Sequence, residues 1–125
     1  MILQRIPVPD GVVDVSCSTV ADGDFHLDGD PVALGPRRQG FTPGSRSEPD
    51  EVHGTAVVEV REHGAGDRQV ADAVVSALFG EVLGIWVGDC APVALVAADG
   101  TIAGVHAGWR GALDGVLDRA LDHLP

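Results

Sequence analysis

The chain has 125 residues, a length suited to one domain. Apolar residues make up 45% and aromatics only 4%, so a core must be built mostly from Val, Ala and Leu. The net charge of −11 argues against binding nucleic acid backbones or anionic membranes, and an anionic small substrate would need a local cation to reach the site.

The N-terminal Met1-Ile2-Leu3-Gln4-Arg5-Ile6-Pro7 lacks the apolar core of a signal peptide. No apolar run approaches the roughly 20 residues that span a bilayer. The two cysteines, Cys17 and Cys90, do not form the pattern of a secreted disulfide framework. These features point to the cytoplasm and to free thiols.

In chain order, Gly11 to Ser18 predicts a short strand with Cys17 in the core, because Val12, Val13 and Val15 are β-branched. Asp28 to Asp50 is rich in Gly, Pro, Asp, Arg and Ser, and reads as irregular with one helical turn near Pro31–Leu34. Thr55 to Val60 predicts a strand, followed by a polar loop over Arg61 to Gly66. Ala71 to Ala77 fits a strand or a helical turn, and periodicity does not separate the two. Val82 to Val87 is almost wholly apolar and predicts a strand buried on both faces. Val93 to Ala97 and Thr101 to Val105 flank Asp99-Gly100, a strong hairpin turn signal. Leu113, Val116, Leu117, Ala120, Leu121 and Leu124 then repeat at helical spacing and predict one amphipathic helix. The sum is an α/β (α+β) single domain over residues 1–125, a layered mixed sheet with flanking helices.

Two residues suggest chemistry. Taken alone, Cys90 reads as a small buried hydrophobe. His106, however, ends the second strand of the hairpin, and counting back from the turn places it opposite Pro92. Thiol and imidazole therefore meet at neighbouring strand ends. Such a pair suits zinc ligation or a nucleophile with its base. His53, at the entrance to the Thr55–Val60 strand, completes a possible His/Cys/His set with an open fourth position. The separations of 37 and 16 residues match no structural zinc finger. Arg110 and the glycines of Gly108-Trp109-Arg110-Gly111, at a helix start, suit an anion. The alternative is a tight turn with Arg110 paired to a surface acid. His26, His63 and His123 lie in polar segments and read as solvated.

Four blocks occur in order: Glu51-Val52-His53-Gly54, Ala71-Asp72-Ala73, Gly88-Asp89-Cys90-Ala91-Pro92-Val93 and His106-Ala107-Gly108-Trp109-Arg110-Gly111. Together they resemble the signature of the laccase-domain family, long labelled multicopper polyphenol oxidases and now regarded as zinc-containing purine nucleoside phosphorylases. The resemblance implies His53, Cys90 and His106 as zinc ligands, and purine nucleoside and phosphate as substrates. It implies activity on adenosine, inosine and methylthioadenosine, with adenosine deamination as a second activity. Within it, Arg110 is the candidate for phosphate, and Asp89 for general acid or for orienting a ligand. The oxidase label fits poorly, since blue-copper oxidases need many closely spaced His ligands and this chain has five scattered ones.

The chain departs from the pattern at Glu51, where Gln is usual, at Gly88, where Ala is usual, and at Val20, where Arg is common. Family members are roughly twice as long, so the resemblance is to their N-terminal half. A lone half would expose sheet edges and favour a homo-oligomer. The competing readings are a cysteine hydrolase using Cys90 and His106, and an inactive or regulatory half-domain.

Overall fold

The computed structural model describes all residues, Met1–Pro125. The fold is mixed α+β with three small sheets, and it begins with an antiparallel ribbon of β1 (Ile2–Val8) and β2 (Gly11–Ser16). β1 was not expected. Cys17 lies just beyond β2 and is exposed rather than in the core, because the ribbon packs no layer over that end.

The segment expected to be irregular contains an eleven-residue helix, α1 (Pro31–Phe41). Its start is well specified: the Asp30 side chain accepts from the Val32 N–H at 3.0 Å, and Pro31 occupies the first turn. Gly35, Pro36 and Gly40 conceal the helix from propensity reading. Leu34 is its one buried residue, so it also lacks an apolar stripe. Polar anchors replace the stripe. Arg38 pairs with Glu48 and Asp67, and Arg46 donates to the carbonyls of Arg38 and Thr42 at the helix end.

β3 (Ser45–Ser47) pairs in parallel with β6 (Glu81–Leu83). The main sheet has four strands in the order β4 (Val57–Val60), β5 (Ala73–Ser76), β8 (Ile102–Ala107), β7 (Ala91–Val96). β5 is parallel to β4 and antiparallel to β8. Every residue of β5 is buried, which settles the ambiguous Ala71–Ala77 segment as the central strand. Val82 to Val87 is the opposite case. Only its first two residues belong to β6, and Trp86 is 40% exposed. The Gly84 N–H makes the last bond of this ladder, to the Ser47 carbonyl, and the chain then leaves the sheet as the Trp86 backbone N–H goes to the Glu51 carboxylate.

The predicted C-terminal helix is two helices, α2 (Trp109–Asp114) and α3 (Val116–Asp122). Gly115, with φ 93° and ψ 30°, turns the axis between them. The break changes which residues face inward. Val116 and Ala120 pack with Ala73 and Val105 in the core, while Leu113, Leu117 and Leu121 are exposed. The buried apolar residues are Val and Ala with Leu34, in keeping with the Val, Ala and Leu core expected from composition.

Candidate metal centre

Three structural decisions converge on one end of the main sheet. The β7–β8 hairpin pairs Pro92 with His106 and Ala91 with Ala107, which sets Cys90 beside the end of β8. Asp72, just before β5, lies next to His106, whose backbone N–H donates to the Asp72 carbonyl at 2.7 Å. The loop through His53 folds over the same point. As a result one donor atom each from His53, Cys90 and His106 lie within 4.8 Å of one another. The two imidazoles meet at 72° with centroids 4.9 Å apart. This is the pairing expected from the hairpin, with His53 joined to it.

Asp72 builds the site, although no role could be assigned to it from its motif. Its Oδ1 accepts from the N–H groups of Val52 and Gly54 at 3.0 and 2.9 Å. Its Oδ2 accepts from the His53 N–H at 2.9 Å and lies 2.7 Å from His106 Nδ1. One carboxylate thus folds the loop that carries His53 and fixes the ring of His106. Burial pushes the Asp72 carboxyl up, but the bond to His106 and those from Gly54, Val52 and His53 outweigh it and hold it below the usual carboxylate range. An ionised Asp72 accepts a hydrogen bond from His106 Nδ1–H, the tautomer that leaves Nε2 free to ligate. The sequence did carry a signal: a lone Asp in an apolar run must be paired once it is buried. His53 adopts φ 59°, a left-handed conformation costly for a non-glycine residue and sustained here by the Asp72 bonds.

The donors have room for an ion because residue 108 is glycine. A Cβ there would stand 2.8 Å from His53 Nδ1 and 3.3 Å from Cys90 Sγ. Donors bound to one tetrahedral zinc stand roughly 3.5 Å apart, so the cluster closes on an ion with a small adjustment. The set of two imidazoles and a thiol can hold a metal ion.

The acids around it set the electrostatics. Glu51 Oε2 lies 3.5 Å from His106 Nδ1, and Oε1 accepts the Trp86 N–H at 2.9 Å. Burial raises the Glu51 carboxyl to about 7, against the Trp86 bond. The Cys90 thiol is pushed up by burial and then by Asp89, whose Oδ1 is 3.8 Å from Sγ, with Glu51 and Asp72 adding to it.

The cluster lines a cavity of about 590 Å³. Asp28, Asp50, Glu51 and Asp89 also face it, and Arg68 is its one guanidinium. Arg68 is paired to Asp28 at 3.0 Å and Asp50 at 2.7 Å. His26, expected to be solvated, is half-buried in the cavity wall. His63 and His123 lie elsewhere, paired with Glu81 and Glu59. Arg110 stands apart on exposed α2, its guanidinium 5.0 Å above the Trp109 ring, and does not line the cavity.

Residues 36–125 match the family described as multi-copper polyphenol oxidoreductase laccase. The chain belongs to this family. A relative in Pseudomonas aeruginosa named purine nucleoside phosphorylase is 39% identical over 105 residues, covering 79% of this chain and 41% of the relative. One of the same name in Shigella flexneri is 32% identical, covering 97% of this chain and 56% of the relative. The crystal structure of a Neisseria meningitidis protein superposes with a TM-score of 0.69 at 28% identity, covering 81% of this chain and 43% of that one. The chain therefore spans about two-fifths to just over half the length of these proteins.

Proposed function

We propose that the chain is a zinc-dependent purine nucleoside phosphorylase acting on adenosine, inosine and methylthioadenosine, with adenosine deamination as a second activity. The observation that carries this reading is the convergence of His53, Cys90 and His106 on one cavity, in a chain similar to proteins named purine nucleoside phosphorylase. His53, Cys90 and His106 would hold zinc, which when bound supplies a Lewis acid with an open coordination position.

In phosphorolysis the bond from C1′ of the ribose to the purine nitrogen breaks, and a phosphate oxygen bonds to C1′. The transition state is oxocarbenium-like, and the leaving purine takes up a proton. Asp89, exposed in the cavity wall with Oδ1 3.8 Å from Cys90 Sγ, orients Cys90 and would relay to the purine a proton drawn from solvent. Arg110, exposed on the first turn of α2 and outside the cavity lining, would have to turn from the Trp109 ring toward the cluster to meet phosphate. Asp72 holds both histidines in register.

The cysteine-hydrolase reading finds less support. A nucleophilic cysteine needs a lowered pKa, whereas burial and nearby carboxylates push the Cys90 thiol up. Two measurements test the proposal. Purified protein should hold about one zinc per chain by the open-site logic, and Cys90→Ala should lose it. Release of hypoxanthine from inosine should require phosphate and yield ribose 1-phosphate. Equal release without phosphate would overturn the phosphorylase assignment in favour of a hydrolase.

A further inference from the structure

The cavity beside the metal cluster is mostly polar. Outside the cluster itself, the carbon-rich side chains of its lining are Leu27, Pro49 and Trp86. Pro49 is fully buried, so it offers little surface to a ligand. Trp86 remains 40% exposed, and it is the one large aromatic ring in the wall. An indole left open to water in a cleft is surface available to a flat apolar partner.

The ring is also fixed in place. His26 meets it edge-on, at 82° with centroids 4.7 Å apart. His26 Nδ1 accepts the Asp28 N–H at 3.1 Å, and the His26 N–H donates to Asp24. Arg68 pins the same segment by donating to the Leu27 carbonyl at 2.9 Å and to Asp28 at 3.0 Å. Arg68 itself holds φ 62°, a left-handed conformation for a non-glycine residue. On the other side, the Trp86 backbone N–H donates to Glu51, whose second oxygen lies 3.5 Å from His106 Nδ1. A short path, from the Trp86 main chain through Glu51 to His106, thus ties the segment that carries the indole to the metal cluster.

We propose that Trp86 is the platform on which the aromatic base of the substrate stacks, so that it selects bicyclic purines and presents their ribose to the metal cluster. The proposal rests on the reading of this cavity as a nucleoside site. It adds a specificity residue outside the His/Cys/His set. The larger face of a purine gains more from an indole than a pyrimidine does.

The experiment is equilibrium binding of inosine to the zinc-loaded full chain, read by calorimetry and by tryptophan emission, with no phosphate present. Trp86→Ala should weaken inosine binding about tenfold and leave binding of ribose 1-phosphate unchanged. Trp86→Phe should recover most of the loss. Inosine should quench emission in Trp109→Phe, where Trp86 is the remaining indole, and not in Trp86→Phe. Wild-type affinity in Trp86→Ala, equal weakening toward ribose 1-phosphate, or no inosine binding by the wild type would each overturn the platform. Turnover is not part of this measurement. A Trp86-dependent quench without phosphate-dependent base release would retain the platform and reject the phosphorylase reading.

Discussion

Asp72 joins the loop at His53 to the ring of His106, so it should control metal affinity without touching the metal. Asp72→Asn replaces one acceptor oxygen by an NH₂ that cannot receive the backbone N–H bonds. The expected result is a zinc affinity lower by about 10–100-fold, read by competition with a chromogenic chelator. Unchanged affinity would show that His106 needs no orienting partner. Gly108 gives an independent test from the opposite side of the cluster. Its φ of −73° suits any residue, so Gly108→Ala should add no backbone strain. The new Cβ would nevertheless press on His53 Nδ1 at 2.8 Å. The variant should fold by circular dichroism and bind zinc at least tenfold more weakly, as expected when ligand geometry is disturbed. The approach of Cys90 to His106 was legible in the sequence because hairpin register is set by a two-residue turn, and counting from Asp99-Gly100 leads to His106 opposite Pro92. Asp72 was harder to interpret, because its partners are backbone N–H groups almost twenty residues away in sequence, which no side-chain pattern records.

At the scale of elements, the hairpin and β4 follow their patterns and β5 resolves an open choice between strand and helical turn, whereas α1 and the 84–87 segment do not follow theirs. Both exceptions arise where polar partners decide the backbone. Asp30 and the Arg38 ion pairs stabilise a helix with poor propensity. Glu51 draws Trp86 away from a strand that its apolar run would favour. The split between α2 and α3 has a simpler cause in Gly115. A Cβ there meets nothing within 4 Å, so Gly115→Ala should cost only the left-handed backbone penalty, about 1–2 kcal/mol. Denaturant unfolding would read it as a lower midpoint with unchanged slope. β6 carries a pH-dependent contribution through Glu81, which accepts from the Ser47 hydroxyl at 2.6 Å and the Gly64 N–H at 2.9 Å, with His63 Nδ1 at 2.9 Å. Burial pushes its carboxyl up, but these bonds prevail and hold it below its ordinary 4.5. The folded state therefore binds fewer protons than the unfolded one in the interval below 4.5. Its stabilisation is complete above that pH and is lost as pH falls through the lowered native value. The stability difference between wild type and Glu81→Gln should accordingly be widest near neutrality and narrow below pH 4.5. A difference that widens on acidification would contradict the assigned direction.

For the whole molecule, the layers differ in how firmly they are tied together. β5 and β8 lie between β4 and β7 and carry α3 on one face, so each is paired along both edges and buried. The β1–β2 ribbon forms its own two-stranded sheet and leaves Ile2, Leu3 and Val12 exposed. Its Val8 side chain reaches the β7–β8 turn, where a Cβ on residue 100 would stand 3.5 Å from it. A two-stranded ribbon in water is marginal by itself. Sequence patterning marked Val12, Val13 and Val15 as strand-forming, but alternation alone does not say which sheet a strand joins. The molecule should therefore open in steps rather than as one unit. In native-state hydrogen exchange, the amides of β1 and β2 should exchange through low-energy local openings, while those of β5 and β8 should require global unfolding. The metal centre provides the second half of the test. Asp72, His106 and Cys90 are held by β5, β8 and the start of β7, so added zinc should slow exchange in β5 and β8 by binding the native state. It should leave the ribbon's local openings unchanged. Equal slowing in the ribbon would mean that the two parts open together, and that the site draws its rigidity from the whole chain rather than from the four-stranded sheet.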